Sequence, residues 1–120
     1  FQHSAVAFET LAGDPSASHG TENSRHLSTL AQETPKIHGA YTEFHRAAIS
    51  AGFLSLETKR LIAIACAHNT RCPHCIEHHV TEALEHGHSR EAISEAIWVA
   101  VEMAAGAGLS HAGLSAVLLE

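Results

Sequence analysis

No unbroken apolar run in the sequence approaches the ~20 residues that a membrane-spanning helix needs. Nothing at its start joins a basic segment to the hydrophobic stretch of a secretion signal. Both absences lead to the expectation of a soluble, cytoplasmic protein with no membrane partner. Basic residues are scarce, seven Lys and Arg against thirteen Asp and Glu for a formal net charge of -6, and they are scattered. A nucleic-acid footprint needs a basic patch to neutralise phosphates, so no nucleic-acid partner is expected. No stretch alternates apolar and polar residues between hairpin turns, which leaves an all-α domain. Cysteine is sparse as well. Three residues are an odd number, and in a chain with no expected secretion signal they point to redox or metal chemistry before a disulfide scaffold.

What is present fits one small domain over residues 1–120. The chain is 45% hydrophobic, enough for a core, yet short enough that self-association would add useful burial. Twelve histidines are a marked excess. Many titrate in the range of about pH 5 to 7, so the charge balance should change steeply there.

Residues 12–23 shift to Gly, Ser, Asp, Pro and Thr after a short apolar segment from Ala5 to Leu11. That composition cannot order itself, and residues 1–23 are expected to form a loose N-terminal segment. A helix over 24–33, capped by Ser24, should end before Pro35, because the residue preceding a proline avoids the helical region. Ile37, Tyr41, Phe44 and Ala48 then mark a helix from Lys36 to Ser50, stopped by Gly52.

Ser55 caps a helix from Leu56 to Asn69 that is apolar on nearly every side between Leu61 and Ala67. It is expected to be the central buried element, with Cys66 acting as a small buried hydrophobe. Pro73 opens the next helix, where a missing N–H costs nothing, and Gly87 closes it. Ser89 caps another, which turns Ile93, Ile97, Val101 and Trp98 to the core, or Trp98 to a subunit interface, and stops in Gly106-Ala107-Gly108. A short helix from Ser110 to Leu119 is expected to finish the chain.

The chemistry is concentrated in residues 72–79, Cys-Pro-His-Cys-Ile-Glu-His-His. With Pro73 opening the helix, Cys72 becomes the N-cap, where free N–H groups and the positive end of the dipole stabilise a thiolate. Cys75 lies one turn on, within disulfide reach, and His79 follows four residues later on the same face. Two thiols and a base suffice for a redox cycle. A thiolate attacks a peroxide or disulfide, the imidazole takes up or stabilises charge, and the second thiol resolves the product. The N-cap argues for Cys72 as the attacking thiol, and the spacing to His79 argues for Cys75.

The chain here resembles the AhpD-like alkylhydroperoxidase and carboxymuconolactone decarboxylase superfamily of all-α proteins. The likeness rests on the apolar helix Leu61–Ala67, on Cys72-Pro73-His74-Cys75 with His79, and on the helix ending at Gly87 with its successor Ser89-Arg90-Glu91-Ala92-Ile93. It implies that Cys72, His74, Cys75 and His79 are catalytic, with Cys75 attacking and Cys72 resolving. It also implies a homo-oligomer, a trimer or hexamer. The paired cysteines favour the redox branch of the superfamily over the decarboxylase branch. No bound cofactor is expected, since the cysteines carry the two electrons, but turnover needs an external thiol or dithiol-protein reductant. The family pattern also has a relay glutamate twelve residues before the first cysteine, and Arg60 stands at that position. Glu57 or Glu43 would have to supply the carboxylate, or an inward Arg60 would stabilise the thiolate by charge instead.

Two other readings compete. The first is a zinc or nickel protein built on Cys72 and Cys75 with His78 or His79. Its obvious second ligand pair, His86 and His88, lies two residues apart rather than three to five. His74 and His78, an i, i+4 pair, also have metal-binding geometry. The second is a non-catalytic oligomeric module that has kept the scaffold alone. Blander roles also exist, a solvated helix histidine for His79 and a favourable charge at a helix C-terminus for His68.

Overall fold

The computed structural model describes residues 23–120, and these form helices with no strand among them. The helices are α1 (Asn23–Glu33), α2 (Pro35–Ile49), α3 (Leu56–Asn69), α4 (Pro73–Glu85) and α5 (Arg90–Leu118). The expected apolar segment at Ala5–Leu11 and the loose segment up to residue 22 lie outside the described residues. The first helix starts at Asn23, one residue ahead of the expected Ser24 cap.

Local chemistry explains the boundaries. Pro35 occupies the first turn of α2. At the other end of α2, Ser50 returns its N–H to the Arg46 carbonyl. Lys59, reaching over from α3, donates its Nζ to the carbonyls of Ala48 at 2.9 Å and Ser50 at 2.6 Å. A cation placed on the last carbonyls satisfies acceptors that the helix itself cannot, and it opposes the negative end of the dipole. Ser55 accepts the Thr58 N–H at 3.1 Å to start α3, and Ser89 accepts the Ala92 N–H at 3.0 Å to start α5. Both are the N-caps expected from the sequence.

The core forms where α3 meets α4 and α5, the two helices it packs against. Ile64 is fully buried among Val80, Ala83 and Ile93, and Leu61, Ile76, Leu84 and Ile97 pack around them. Burying an isoleucine completely is worth about 1.5–3 kcal/mol, so this contact is a principal tie among the three helices. Two neighbours cover only part of a helix, however. The outer face of α3 stays open, with Ile62 45% exposed and Cys66 also exposed. The expectation of a buried Cys66 is therefore corrected: it lies on the face that no helix among the described residues covers.

The final helix departs most from the sequence reading. Instead of breaking at Gly106-Ala107-Gly108 and restarting at Ser110, α5 runs unbroken for 29 residues, about 44 Å at 1.5 Å per residue. A glycine inside a helix costs only about 1 kcal/mol relative to alanine, and no proline or competing cap forces a stop here. Ile93 and Ala100 anchor the first half of α5, but beyond Gly106 every residue is exposed. Trp98 is 68% exposed and Val101 is also open, so neither enters the core of this chain as expected. By length and composition alone α5 is apolar enough to cross a membrane, a property that core helices also meet. Ile37, Tyr41 and Phe44 on α2 are exposed in the same way.

Candidate active site

The site is created by the way α3 ends. Arg71 adopts a left-handed conformation with φ of 57°. The Arg71 N–H bonds the His68 carbonyl at 3.3 Å, and the Cys72 N–H bonds the Ala67 carbonyl at 3.2 Å. This is the Schellman arrangement, which satisfies the last carbonyls of α3 while reversing the chain. The turn leaves Cys72 as the N-cap of α4, with Pro73 in the first turn. Cys72 Sγ accepts the Cys75 N–H at 3.3 Å, the capping contact normally made by a serine or aspartate oxygen. At the far end of α4 the same motif recurs around Gly87, whose φ is 87°. There the His88 N–H reaches the Ala83 carbonyl at 3.0 Å.

Cys72 and Cys75 form a disulfide, with Cα atoms 5.2 Å apart, and both residues are partly buried. His74, also partly buried, lies between them on the first turn. His79 stands one turn beyond Cys75, its side chain 21% exposed. Its Nδ1 lies 3.9 Å from Glu82 Oε1, and the same oxygen lies 3.7 Å from Nε2 of the more exposed His78. The rings of His78 and His79 meet edge to face with centroids 4.9 Å apart.

Burial is the main influence on His79 and pushes its pKa below the ordinary value of 6.5. The neighbouring His78 pushes the same way, Glu82 opposes, and His45 adds a further lowering. The His79 imidazole is thereby kept neutral, with a lone pair to offer, around neutral pH. His45 comes from α2. Together with Arg46, Ile49 and Leu56 it lines an open cavity of about 330 Å³ to which α4 contributes Glu82.

The expected relay carboxylates do not gather here. Glu57 is exposed on the first turn of α3, and Glu43 is exposed and paired with Arg46. Arg60 is partly buried, and its Nε is buried without a hydrogen-bond partner. The carboxylate beside His79 is Glu82, which the sequence reading passed over. Its signal was there, three residues after His79 and four after His78 on one helix. His45 had no such signal, because only the packing of α2 brings it to this side of the molecule.

Residues 35–117 match the carboxymuconolactone decarboxylase family. Similar proteins include uncharacterised protein 4 of the cox locus of Paracoccus denitrificans, 42% identical over 78% of this chain and 85% of that protein. An uncharacterised protein of Cupriavidus necator is 34% identical over 77% of this chain and 81% of its own length. Among solved structures, an apo carboxymuconolactone decarboxylase family protein of Legionella pneumophila superposes with a TM-score of 0.65 at 30% identity. That match covers 78% of this chain and 83% of the other. A protein of Methanobacterium thermoautotrophicum gives 0.68 at 33% identity, over 71% of this chain and 96% of that one.

Proposed function

Because the chain belongs to the carboxymuconolactone decarboxylase family, we propose that it is the thiol-dependent, alkylhydroperoxidase-like kind of member, reducing a peroxide or exchanging disulfides through Cys72 and Cys75. The observation that carries this reading is the disulfide at the start of α4, with the half-buried His79 one turn further along the same helix. A pair of cysteines at a helix N-terminus is where a thiolate is cheapest to form and easiest to recycle.

In the reduced protein the Cys75 thiol gives its proton to His79, and the thiolate attacks the outer peroxide oxygen. The O–O bond breaks, an alcohol leaves with the proton, and Cys75 becomes a sulfenic acid. The Cys72 thiol then attacks that sulfur and expels water, which yields the disulfide. One peroxide is reduced by two electrons for each pair of thiols oxidised, and an external thiol or dithiol protein restores the pair. Glu82, facing Nδ1 of His79, supports the tautomer whose other nitrogen accepts the proton. His74 stands at the rim of the site. The same reading sets the protein in a reducing, cytoplasmic compartment as a homo-oligomer, in which second copies cover the apolar faces of α2 and α5.

The decisive experiment follows thiol loss and peroxide consumption in reduced protein on a Cys66→Ser background, so that only the pair reports. Two thiols should disappear per peroxide consumed. Cys75→Ser should abolish consumption while the helical circular dichroism is kept, and full activity in that variant overturns the assignment.

A further inference from the structure

Beyond the thiols, we propose that His78, His79 and Glu82 on α4, with His45 of α2 across the adjoining cavity, form a site for a divalent transition metal of the zinc class. Nε2 of His78 and Nδ1 of His79 lie 3.7 and 3.9 Å from one oxygen of Glu82. One ligand atom from each of the three residues falls within 4.8 Å of the others. Tetrahedral zinc with bonds of about 2.0–2.2 Å sets its ligands about 3.4 Å apart, so the three close on an ion by small side-chain rotations. Imidazole nitrogens with one carboxylate suit zinc, nickel, cobalt or copper, whereas calcium and magnesium take oxygen-rich sets.

The placement favours capture over a merely solvated cluster. His79 and Glu82 are partly buried, so they hold their positions, and the more exposed His78 gives an ion its way in. His45 lines the same cavity as Glu82 from a separate helix, which makes it the candidate for a fourth donor. Cys72 and Cys75 are bonded to each other, which separates this donor set from a zinc knuckle built on the two thiolates.

Occupancy has a consequence that rests on the function proposed above. A neutral imidazole has one lone pair. An ion on Nδ1 of His79 takes that lone pair and leaves the proton on Nε2, so the ring no longer accepts a proton from Cys75. Zinc at this site therefore slows the thiol chemistry without touching either sulfur.

The test titrates the oxidised full chain with Zn²⁺ by calorimetry, and with Co²⁺ by visible absorption. Wild type and Cys72→Ser/Cys75→Ser are expected to bind one equivalent alike, with no thiolate-to-cobalt band. Loss of an outer-shell partner alone commonly costs 10–100-fold in metal affinity, so removing two ligands in His78→Ala/Glu82→Gln should weaken this equivalent by more than about tenfold, with an unchanged thermal melt. Equal affinity in that variant, or binding lost in the cysteine variant, overturns the site. A second arm compares the peroxide-dependent thiol loss of reduced wild type and of reduced His78→Ala, each with and without Zn²⁺. Slowing by zinc in wild type that is relieved in His78→Ala supports the regulatory step. Tight zinc binding with no slowing leaves the site standing and removes His79 as the proton acceptor, and slowing that persists in His78→Ala assigns the inhibition to the thiols.

Discussion

The backbone of Cys72 closes one helix on Ala67 while its sulfur opens the next. Its N–H bonds the Ala67 carbonyl at 3.2 Å, and its Sγ accepts the Cys75 N–H at 3.3 Å. The joint between α3 and α4 and the redox pair are thus one structure, and Arg71 gives it its shape.

Arg71 adopts a left-handed conformation, which costs a side chain with a Cβ about 1–2 kcal/mol. Arg71→Gly relieves that strain but adds freedom to the unfolded chain, so the expected net gain is about 0.5–1 kcal/mol. Gly87 occupies the equivalent position at the end of α4, and Gly87→Ala should lose about 1 kcal/mol, although the added methyl would meet nothing within 4 Å. Chemical denaturation of both variants checks the pair, and the reverse signs would show that the two turns are not equivalent.

Glu82 is expected to matter for rate more than for folding. Glu82→Gln keeps the shape but loses the charge facing His79, so peroxide-driven disulfide formation should slow several-fold. Because both partners keep contact with water, the stability change should stay within about 1 kcal/mol. Stopped-flow thiol oxidation beside a urea melt separates the two effects, and an unchanged rate removes Glu82 from the mechanism.

Lys59→Met removes the ammonium that satisfies the carbonyls of Ala48 and Ser50. The expected loss is about 1 kcal/mol, felt as fraying at the end of α2. Hydrogen exchange should quicken over residues 46–50 while the amides of α3 near Ile64 keep their protection. Uniform loss of protection would mean that the lysine supports the whole domain instead.

The second half of α5 extends past its own core with Leu109, Leu114, Val117 and Leu118 exposed. Light scattering is expected to give a multiple of 12.8 kDa, and Leu114→Asp or Trp98→Arg should shift it towards one chain. A wild-type mass of a single chain contradicts this, and wild type floating with lipid vesicles would assign the same face to a membrane.

What the sequence made legible was what neighbouring residues decide among themselves. The bounds of α3 between Ser55 and Asn69, the caps at Cys72 and Ser89, and the stop at Gly87 all depend on hydrogen bonds spanning three to five residues. The placement of Cys72, Cys75 and His79 along the start of α4 was legible for the same reason, since one helix orders all three. The errors came where local preference was weak or burial was decided at a distance. Gly106 and Gly108 do favour a break, but by too little to end a helix whose flanks are rich in alanine. Cys66 and Ile62 share the apolar character of Ile64, and only the positions of α4 and α5 decide which of them is covered. Glu82 lies outside the family's relay position, and only its spacing from His78 and His79 marks it in the sequence.

The amino group of Lys59 does more than finish a helix. By gripping the last carbonyls of α2 from the first turn of α3, it acts as a clasp between α2 and the three-helix core. The same helix carries His45 to the cavity that Glu82 also lines. Loosening a fastening remote from either cysteine would therefore widen the groove between His45 and Glu82 and alter what it admits.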